Sequence, residues 1–351
     1  KSDTLKFPSE GSTEFDGSND YIDFGDISLT GEFTLSAWIY LDSTSYMVIW
    51  GDSSNADWFR ITSATTADIK IAGNNKELWT HGATFTTGEW QHIAVVRDSS
   101  NQITIYRNGI HYTSNAPTRS GTFVPEYLGQ KESGAYLNGK MANNVIWSRA
   151  LTTEEIQSIM NKSYSQLKGV EKTSLVSWWA LDDTVSTEKI TNGDFSSWTN
   201  DNPDGWTVST DLVGGVESDD VKITEDANGA RIYSTGTNIH MTQNVMTIGA
   251  TYEVTIVVHS VTTGDIATQN LSSNLSINSA GTHTVTTTAT ATGFRIKRNF
   301  PVDMVISSVS VKEVQSNDFE GSNNGAIIGA ITTTSVYGGN APILPRAVDV
   351  A

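Results

Sequence analysis

The sequence predicts an all-β protein with two antiparallel β-sandwich domains and one short helix near residues 152–161. Thr, Ser, Asn and Gly, which fill strands and turns, are abundant, whereas Ala, Leu, Lys and Glu are scarcer. Short apolar runs alternate with a period of two and are separated by turn residues. The amino-acid composition changes near Thr187, where a Thr-rich stretch begins, and this change indicates a second domain.

The early strands follow from alternation. In residues 33–41 every second side chain is apolar, which predicts a half-buried strand. Residues 21–24, 90–97 and 102–107 predict further strands. The apolar residues that lie on one face of the 33–41 strand are Phe33, Leu35, Ala37, Ile39 and Leu41.

Two local signals stand out later in the first region. Asn108-Gly109 lies between two alternating runs and predicts a two-residue hairpin turn, because both central residues of that turn need φ > 0. Thr152 is a hydroxyl cap, with Glu154 and Glu155 in the first turn of a predicted helix. The apolar stripe of that helix is Leu151, Ile156, Ile159 and Met160.

The second region continues the strand pattern. Residues 175–183 predict a strand that precedes the Thr-rich stretch. Within that stretch, strands are predicted over 252–259, 282–290, 293–297 and 304–311.

Five motifs of the first region occur in order, over roughly residues 5–183. Together they resemble the laminin-G-like, concanavalin-A-like jelly-roll family, and the resemblance implies a jelly-roll sandwich. The motifs are Phe15-Asp16-Gly17-Ser18-Asn19-Asp20-Tyr21-Ile22-Asp23, Phe33-Thr34-Leu35-Ser36-Ala37-Trp38-Ile39, Gly88-Glu89-Trp90-Gln91-His92-Ile93-Ala94-Val95-Val96, Tyr106-Arg107-Asn108-Gly109 and Trp147-Ser148-Arg149-Ala150-Leu151.

Two family segments that usually precede the Phe-Asp-Gly motif stand about 140 residues apart here, at 175–183 and 323–333. Either they complete the first sandwich in a permuted order or they begin a repeat. We therefore expect a first domain over 1–186 plus 315–340, an inserted domain over 187–314, and a tail or linker over 341–351.

The insert contains Asn192-Gly193-Asp194-Phe195, then Gly205-Trp206, and ends in residues 304–313. These features resemble jelly-roll carbohydrate-binding modules. Combined with the first resemblance, they look like the architecture of phage fibre and virion-surface proteins and of secreted bacterial adhesins. The segment 335–342 is closer to the phage set.

Charge and composition exclude several classes of function. The net charge of −17 repels phosphate backbones, so no nucleic-acid partner is expected. An acidic surface aids solubility and also attracts divalent cations. No run approaches the ~20 apolar residues of a membrane span, so no membrane insertion is expected. The chain has no Cys, and no signal peptide is visible in a sequence that begins at Lys1.

No catalytic motif is present in the sequence. Glucanases of the concanavalin-like fold need paired carboxylates on one strand, and no Glu-x-Asp-x-Glu occurs. The six His residues show no zinc-ligand spacing. We therefore expect a non-enzymatic protein of the virion surface or the extracellular space that attaches to host-surface glycans, and we expect a homo-oligomer or part of a larger assembly. The alternatives are a purely structural subunit and an accessory module of a polysaccharide-degrading enzyme.

Candidate sugar-binding residues lie mainly in the insert, because exposed aromatic faces stack on sugars and polar side chains bind their hydroxyls. Trp206 fits a structural position equally well. Trp58 and Trp79 are candidate surface aromatics of the first domain, whereas Trp38, Trp90, Trp147 and Trp178 are expected in the core. The insert's candidates are Trp198, Trp206, Arg231, Tyr233 and Asn238.

Calcium is the expected cofactor, if any, because it binds several carboxylate and carbonyl oxygens. Asp16 and Asp20, with Asn19 and Asp23, form either a calcium-binding turn or Asx turns that hold a loop. In the insert, the resemblance places calcium at Asp194. The acid expected in the last strand is replaced by Ser307 or Ser308, and Asp303 is a possible substitute.

Overall fold

The computed structural model describes residues 11–132, 134–210, 217–321, 323–329 and 332–335. The chain divides into two compact units, which are unit 1 (Lys1–Val185 with Ser316–Ala351) and unit 2 (Ser186–Gln315). The predicted tail, 341–351, and residues 336–342 lie outside the described residues. None of the helices among the described residues has the length and apolar character needed to cross a bilayer.

The first seventeen strands, in chain order, are β1 (Gly11–Asp16), β2 (Tyr21–Asp23), β3 (Leu29–Thr30), β4 (Phe33–Leu41), β5 (Met47–Gly51), β6 (Trp58–Ser63), β7 (Thr66–Lys70), β8 (Glu77–Thr80), β9 (Trp90–Arg97), β10 (Ile103–Arg107), β11 (Ile110–Tyr112), β12 (Thr122–Phe123), β13 (Tyr127–Leu128), β14 (Gln130–Lys131), β15 (Ala135–Tyr136), β16 (Asn138–Trp147) and β17 (Leu175–Glu188). Between β16 and β17 lie α1 (Thr153–Ile159) and a 3₁₀ turn (Tyr164–Gln166).

The remaining strands are β18 (Trp198–Thr199), β19 (Asn202–Pro203), β20 (Thr207–Thr210), β21 (Val221–Asp226), β22 (Gly229–Ser234), β23 (Ile239–Asn244), β24 (Thr251–Thr263), β25 (Ile266–Gln269), β26 (Ser276–Ile277), β27 (Gly281–Thr288), β28 (Gly293–Arg298), β29 (Val302–Asp318), β30 (Gly325–Ile328) and β31 (Thr332–Ser335). The prediction of an all-β protein with antiparallel sheets and one short α-helix is confirmed over the described residues.

Unit 1 contains two runs of paired antiparallel strands. One run is β11-β10-β9-β4-β16, with β1 and β17 pairing different parts of β16 and β31 pairing β1. The other is β30-β2-β13-β5-β6-β7-β8. Side chains from both runs, such as Leu35, Ile93, Ile49 and Phe59, share one buried cluster. The two runs therefore form the layers of a sandwich around that core.

The local predictions for unit 1 are confirmed except for one: β4 was predicted to be half-buried, but Thr34, Ser36 and Trp38 of its other face are buried as well. The alternating residues of β4 are all fully buried in the shared core. Asn108 and Gly109 have φ of 51° and 75° and connect β10 to β11. Thr152 and Glu155 form the capping box of α1. The helix then packs Ile156 and Ile159 on the outer face of the first run, beside Trp147 and Trp178.

Unit 2 is also built of two antiparallel sheets. One has the order β21-β22-β29-β24-β27. The other, which we call the five-stranded sheet, has the order β20-β23-β28-β25-β26. Each sheet buries alternate side chains, for example Ile232 and Val254 from one and Met241, Phe294 and Ile296 from the other. Period-two alternation leaves the other half of each strand's side chains facing outward.

Candidate ligand-binding site

The outward face of the five-stranded sheet carries polar side chains in register. Phe294 and Ile296 of β28 are buried, so the alternating neighbours Arg295 and Lys297 face outward. Cross-strand pairing sets Arg295 beside Thr242 and Lys297 beside His240. Pairing with the two flanking strands extends these contacts into two rows, Thr207–Thr242–Arg295–Gln269 and Ser209–His240–Lys297–Ala267.

An open groove of about 590 Å³ lies over this face, within the size range of small-molecule sites. Side chains and backbone of β20, β23 and β28 form most of it, together with the turn before β20. Among the described residues that line it there is no Trp, Tyr, Phe, Asp or Glu; they are Thr191, Gly205, Thr207, Ser209, His240, Thr242, Gln243, Asn244, Val245 and Arg295.

Hydrogen bonds fix one rim of the groove. The Gln243 side-chain amide donates to the Thr191 carbonyl oxygen at 2.7 Å and accepts from the Thr191 backbone nitrogen and hydroxyl, each at 3.2 Å. Gly205, with φ of 82°, passes so close to Thr191 that a Cβ would lie 2.6 Å from its hydroxyl oxygen. A side chain at position 205 would therefore both strain the backbone and close the rim.

Arg295 lines this groove from β28 and is partly exposed. Its Nε donates to the Thr242 hydroxyl at 3.3 Å, which leaves most of its five donor hydrogens for a ligand. With Thr, Ser, Asn and Gln around it, the groove offers donors and acceptors at the spacing of a pleated surface. This arrangement can bind hydroxyl-rich or anionic groups by hydrogen bonds, without aromatic stacking.

The predicted sugar-binding residues of the insert are not brought together at one place. Trp206 is only 7% exposed and packs its ring against Phe195 and Phe294, with centroids 5.8 and 6.5 Å away. Its indole nitrogen donates to the Asn192 carbonyl oxygen at 3.3 Å. This is a correction: burial leaves Trp206 no open face for a sugar, and its structural alternative holds.

Trp198 lies in the small β18–β19 hairpin and is half-buried. Its indole nitrogen donates to the Phe195 carbonyl oxygen at 2.7 Å, so the ring is anchored to the turn that precedes it. Asn238, just before β23, is also half-buried and has an interaction partner. Neither residue lines the groove.

Arg231 and Tyr233 face outward from β22, which belongs to the other sheet. Arg231 donates to both carboxylate oxygens of Asp303, at 2.7 and 2.9 Å, and its guanidinium carbon lies 5.3 Å from the centre of the Tyr233 ring. The ion pair raises the pKa of Arg231. Arg231 therefore has an internal partner.

The same ion pair occupies the predicted metal ligand Asp303, because both of its carboxylate oxygens accept hydrogen bonds from Arg231. The Gly193 carbonyl oxygen accepts from the Val309 backbone nitrogen at 2.8 Å, so the turn of Asp194 lies at Val309. Six residues of strand separate Val309 from Asp303, about 20 Å. As a correction, Asp303 does not lie beside Asp194, whose own carboxylate accepts from Ser196 with a lowered pKa.

Asp16 and Asp20 form turns in the first unit. Asp16 Oδ1 accepts from the backbone nitrogen of Ser18 at 2.7 Å, and Asp20 Oδ2 accepts from that of Asp16 at 3.0 Å. These bonds favour the Asx-turn alternative. Within the ranges that the structure describes, no group of three or more His, Cys, Asp or Glu side chains is arranged to hold a metal ion. Calcium stays a prediction.

The two candidate surface aromatics of unit 1 are buried, with Trp58 4% and Trp79 5% exposed, so that prediction was wrong. Trp79 belongs to the main core. Trp58 is covered by the charged ends of Lys70 and Lys131, 4.8 and 4.4 Å from its ring centre. Polar residues near Trp58 therefore cover its indole ring instead of leaving it exposed, because long cationic side chains shield apolar surface. Trp38, Trp147 and Trp178 are buried as predicted, and Trp90 is partly buried.

The groove residues His240, Thr242 and Arg295 were missed by sequence reasoning. One signal was present: β28 reads Gly-Phe-Arg-Ile-Lys-Arg, with basic residues at alternate positions in an acidic chain. The alternation predicts that Arg295 and Lys297 share a face. Which strands lie beside that face depends on pairing between residues far apart in sequence.

Comparison with known proteins gives one family match. Residues 16–157 match the family model of the concanavalin A-like lectin/glucanases superfamily, in its laminin-G-like form. No curated protein matches the sequence.

Solved structures with some likeness include three from different sources. Domain 4 of an extracellular arabinanase from Geobacillus stearothermophilus, in complex with arabinotriose, is 18% identical, covers 42% of this chain and 75% of its own, and has a TM-score of 0.35. A carbohydrate-binding module of a Ruminococcus gnavus sialidase, bound to sialyllactose, is 14% identical. The match covers 44% of this chain and 98% of the module, with a TM-score of 0.35. Domains LG4-5 of the mouse laminin α1 chain are 10% identical. The match covers 95% of this chain and 94% of the laminin domains, with a TM-score of 0.32.

Likenesses at these identities and scores carry no inference about ligand. The family match concerns unit 1 and agrees with its two-layer antiparallel architecture. It therefore supports a concanavalin A-like jelly-roll domain within residues 16–157 of this chain.

Proposed function

We propose that this chain is a non-catalytic, extracellular glycan-binding protein whose binding site is the groove on the five-stranded sheet of unit 2. The observation that carries the proposal is the lining of that groove by hydroxyl, amide, imidazole and guanidinium groups in two registered rows. Sugars present closely spaced hydroxyls, which such rows can bind by multiple hydrogen bonds.

The absence of carboxylates from the lining residues supports a binding role. Glycoside hydrolysis by the common mechanisms needs two carboxyl groups flanking the scissile bond, and the described residues that line the groove include no Asp or Glu. The family match of residues 16–157 to a superfamily that includes lectins agrees with carbohydrate recognition. The resemblance to phage fibres and secreted adhesins leads us to place the protein on a virion or in the extracellular space, facing host-surface glycans.

The test is binding of the full chain to a glycan array and to immobilised polysaccharides, neutral and charged. We expect binding that falls at least tenfold in the double variant Thr242→Val/Arg295→Gln, because charge-assisted hydrogen bonds are lost. Tyr233→Ala, an outward residue of the other sheet, is the matched control and should bind as the unaltered chain does. If no glycan binds to folded protein, a purely structural subunit is the better account. If only Tyr233→Ala loses binding, the site is on the other sheet.

A further inference from the structure

The strand β28 is locally basic in a chain whose net charge is −17. Arg295, Lys297 and Arg298 lie within its six residues. None of the five strands of its sheet contains Asp or Glu. The opposite sheet of unit 2 differs, since β21, β24 and β29 all contain acidic residues. The strands of the five-stranded sheet therefore carry a net positive charge, whereas the cations of the opposite sheet are accompanied by acids.

The outward cations of β28 have no anionic partner among the described residues. The ion pairs found in unit 2 join Lys189 to Glu313, Lys222 to Asp219, and Arg231 to Asp303. Neither Arg295 nor Lys297 takes part in one.

Two acids adjoin the paired strands in sequence: Asp211, which follows β20 and lies outside the described residues, and Asp265, just before β25. The Oδ2 of Asp265 accepts from the Asn299 amide at 2.9 Å and from the Ser276 hydroxyl at 3.3 Å. Arg298, the third cation of β28, is buried and donates to the Gly236 carbonyl oxygen. Arg295 and Lys297 therefore remain as the two outward positive charges of this strand.

Both charges are within reach of one extended ligand: Arg295 lines the groove, and Lys297 lies on the same face of β28, just beyond the lining residues. Residues two apart on a strand are about 7 Å apart on the same face, which is within one Debye length at physiological salt. Cross-strand pairing adds the imidazole of His240 beside Lys297 and the hydroxyl of Thr242 beside Arg295. The two like charges repel each other weakly through solvent, and a bound anion would offset that repulsion.

We propose that the groove selects anionic polysaccharides, with Arg295 and Lys297 binding the carboxylate or sulfate groups of successive or substituted sugars. The inference rests on the proposed glycan-binding function and names its substrate class. The planar guanidinium of Arg295 can bind a carboxylate or sulfate through two hydrogen bonds, while the Lys297 ammonium supplies a flexible point charge. Hydroxyl groups of the same sugars meet Thr207, Ser209 and Thr242.

The experiment uses polysaccharides in sets that share a backbone and differ in charge. One set is chondroitin sulfate, its desulfated form, and the desulfated form with reduced carboxyl groups. A second is polygalacturonate and its methyl ester. Binding of the full chain is measured at about 0.05 M and 0.5 M salt, beside an array of neutral polysaccharides. Variants are Arg295→Gln and Lys297→Gln, with Lys222→Gln on β21 as the matched loss of one charge in the same unit.

We expect an acidic member to bind at least tenfold more tightly than its neutral derivative, with weaker binding at high salt. Arg295→Gln and Lys297→Gln should each lower affinity about tenfold, and Lys222→Gln should not. Binding that survives desulfation assigns the carboxylate, and binding lost on desulfation assigns the sulfate. Equal binding of acidic and neutral members, or selectivity unchanged in both groove variants, overturns the inference but leaves glycan binding in place. No binding to any polysaccharide overturns the proposed function as well.

Discussion

Two arginines of unit 1, Arg60 and Arg97, differ from Arg295 of unit 2 in the partners that hold them. In unit 1, Arg97 is fully buried and donates to three backbone carbonyl oxygens, and Arg60 pairs with the buried carboxylate of Asp68 at 2.7 Å. In unit 2, Arg295 faces outward, with one bond to a hydroxyl. A cation with fixed internal acceptors stabilises the fold, whereas a cation without them is available to a ligand. The contrast separates structural from functional charge in one chain.

Aromatic residues also separate the packed cores from the proposed binding surface. Trp58 and Trp79 of unit 1 and Trp206 of unit 2 are all buried. The groove of unit 2 that we assign to ligand binding has no Trp, Tyr or Phe among the described residues that line it. An abundance of Trp in the sequence therefore indicates well-packed cores here, and the binding surface is polar.

The largest expected effect is at the core of unit 2. Trp206→Ala removes a ring packed between Phe195 and Phe294, and it should lower the free energy of unfolding of unit 2 by about 4 kcal/mol. Denaturant unfolding, monitored by hydrogen exchange in peptides of unit 2, measures this free energy. Trp206→Phe should lose clearly less. A stable Trp206→Ala protein that lacks only glycan binding would restore Trp206 as a ligand contact.

Next comes the buried ion pair of unit 1. Asp68→Asn leaves the guanidinium of Arg60 buried without a counter-charge, so we expect a loss of about 3 kcal/mol in unit 1 stability. The double variant Arg60→Met/Asp68→Leu removes both charges and should lose less than the single variant. Equal losses in calorimetry would mean that the pair does not stabilise unit 1 as a unit.

Acid should weaken unit 1 before unit 2. His92 is fully buried with its Nε2 2.8 Å from the Ser36 hydroxyl, and burial lowers its pKa from 6.5 to about 3. Below pH 6.5 the unfolded chain therefore binds a proton that the folded chain does not. The stability present above pH 6.5 is lost as pH falls, by about 2 kcal/mol at pH 5. His92→Gln should remove the part due to His92 and leave the part due to His81, whose pKa burial lowers to about 4. His283→Gln, at a partly exposed position of unit 2, should leave the pH dependence of unit 1 unchanged. Unchanged stability of unit 1 between pH 7 and 5 would contradict the account.

The smallest expected effect is the most telling for function. Arg295→Gln should change the stability of unit 2 by no more than about 0.5 kcal/mol, because the side chain is outward and makes one hydrogen bond. The same variant is expected to lose glycan affinity. Thermal unfolding beside the binding assay measures both, and a large loss of stability would place Arg295 with the structural arginines.

Sequence reasoning succeeded where the evidence is local. Strands β4 and β9 were predicted to the residue, and for β4 alternation also identified the side chains that enter the main core. The helix cap at Thr152 and the turn at Asn108-Gly109 depend on a few adjacent residues. These features need no knowledge of distant partners.

The candidate site could not be predicted in the same way. Arg295 lies in a strand that was predicted almost correctly, but its neighbour Thr242 is 53 residues away along the chain. The groove exists only because β20, β23 and β28 pair in register, and local sequence does not encode that pairing. Likewise, Trp206 and Trp198 carry similar local signals, and only packing distinguishes the buried ring from the half-buried one.

The central claim is that the outward face of the five-stranded sheet binds the ligand. The most direct test is hydrogen–deuterium exchange of the full chain with and without the polysaccharide that binds best. We predict slower exchange in peptides covering β20, β23 and β28, with little change in β21, β22 or unit 1. Slower exchange confined to β21 and β22, or to unit 1, would contradict the account and move the binding site to that surface.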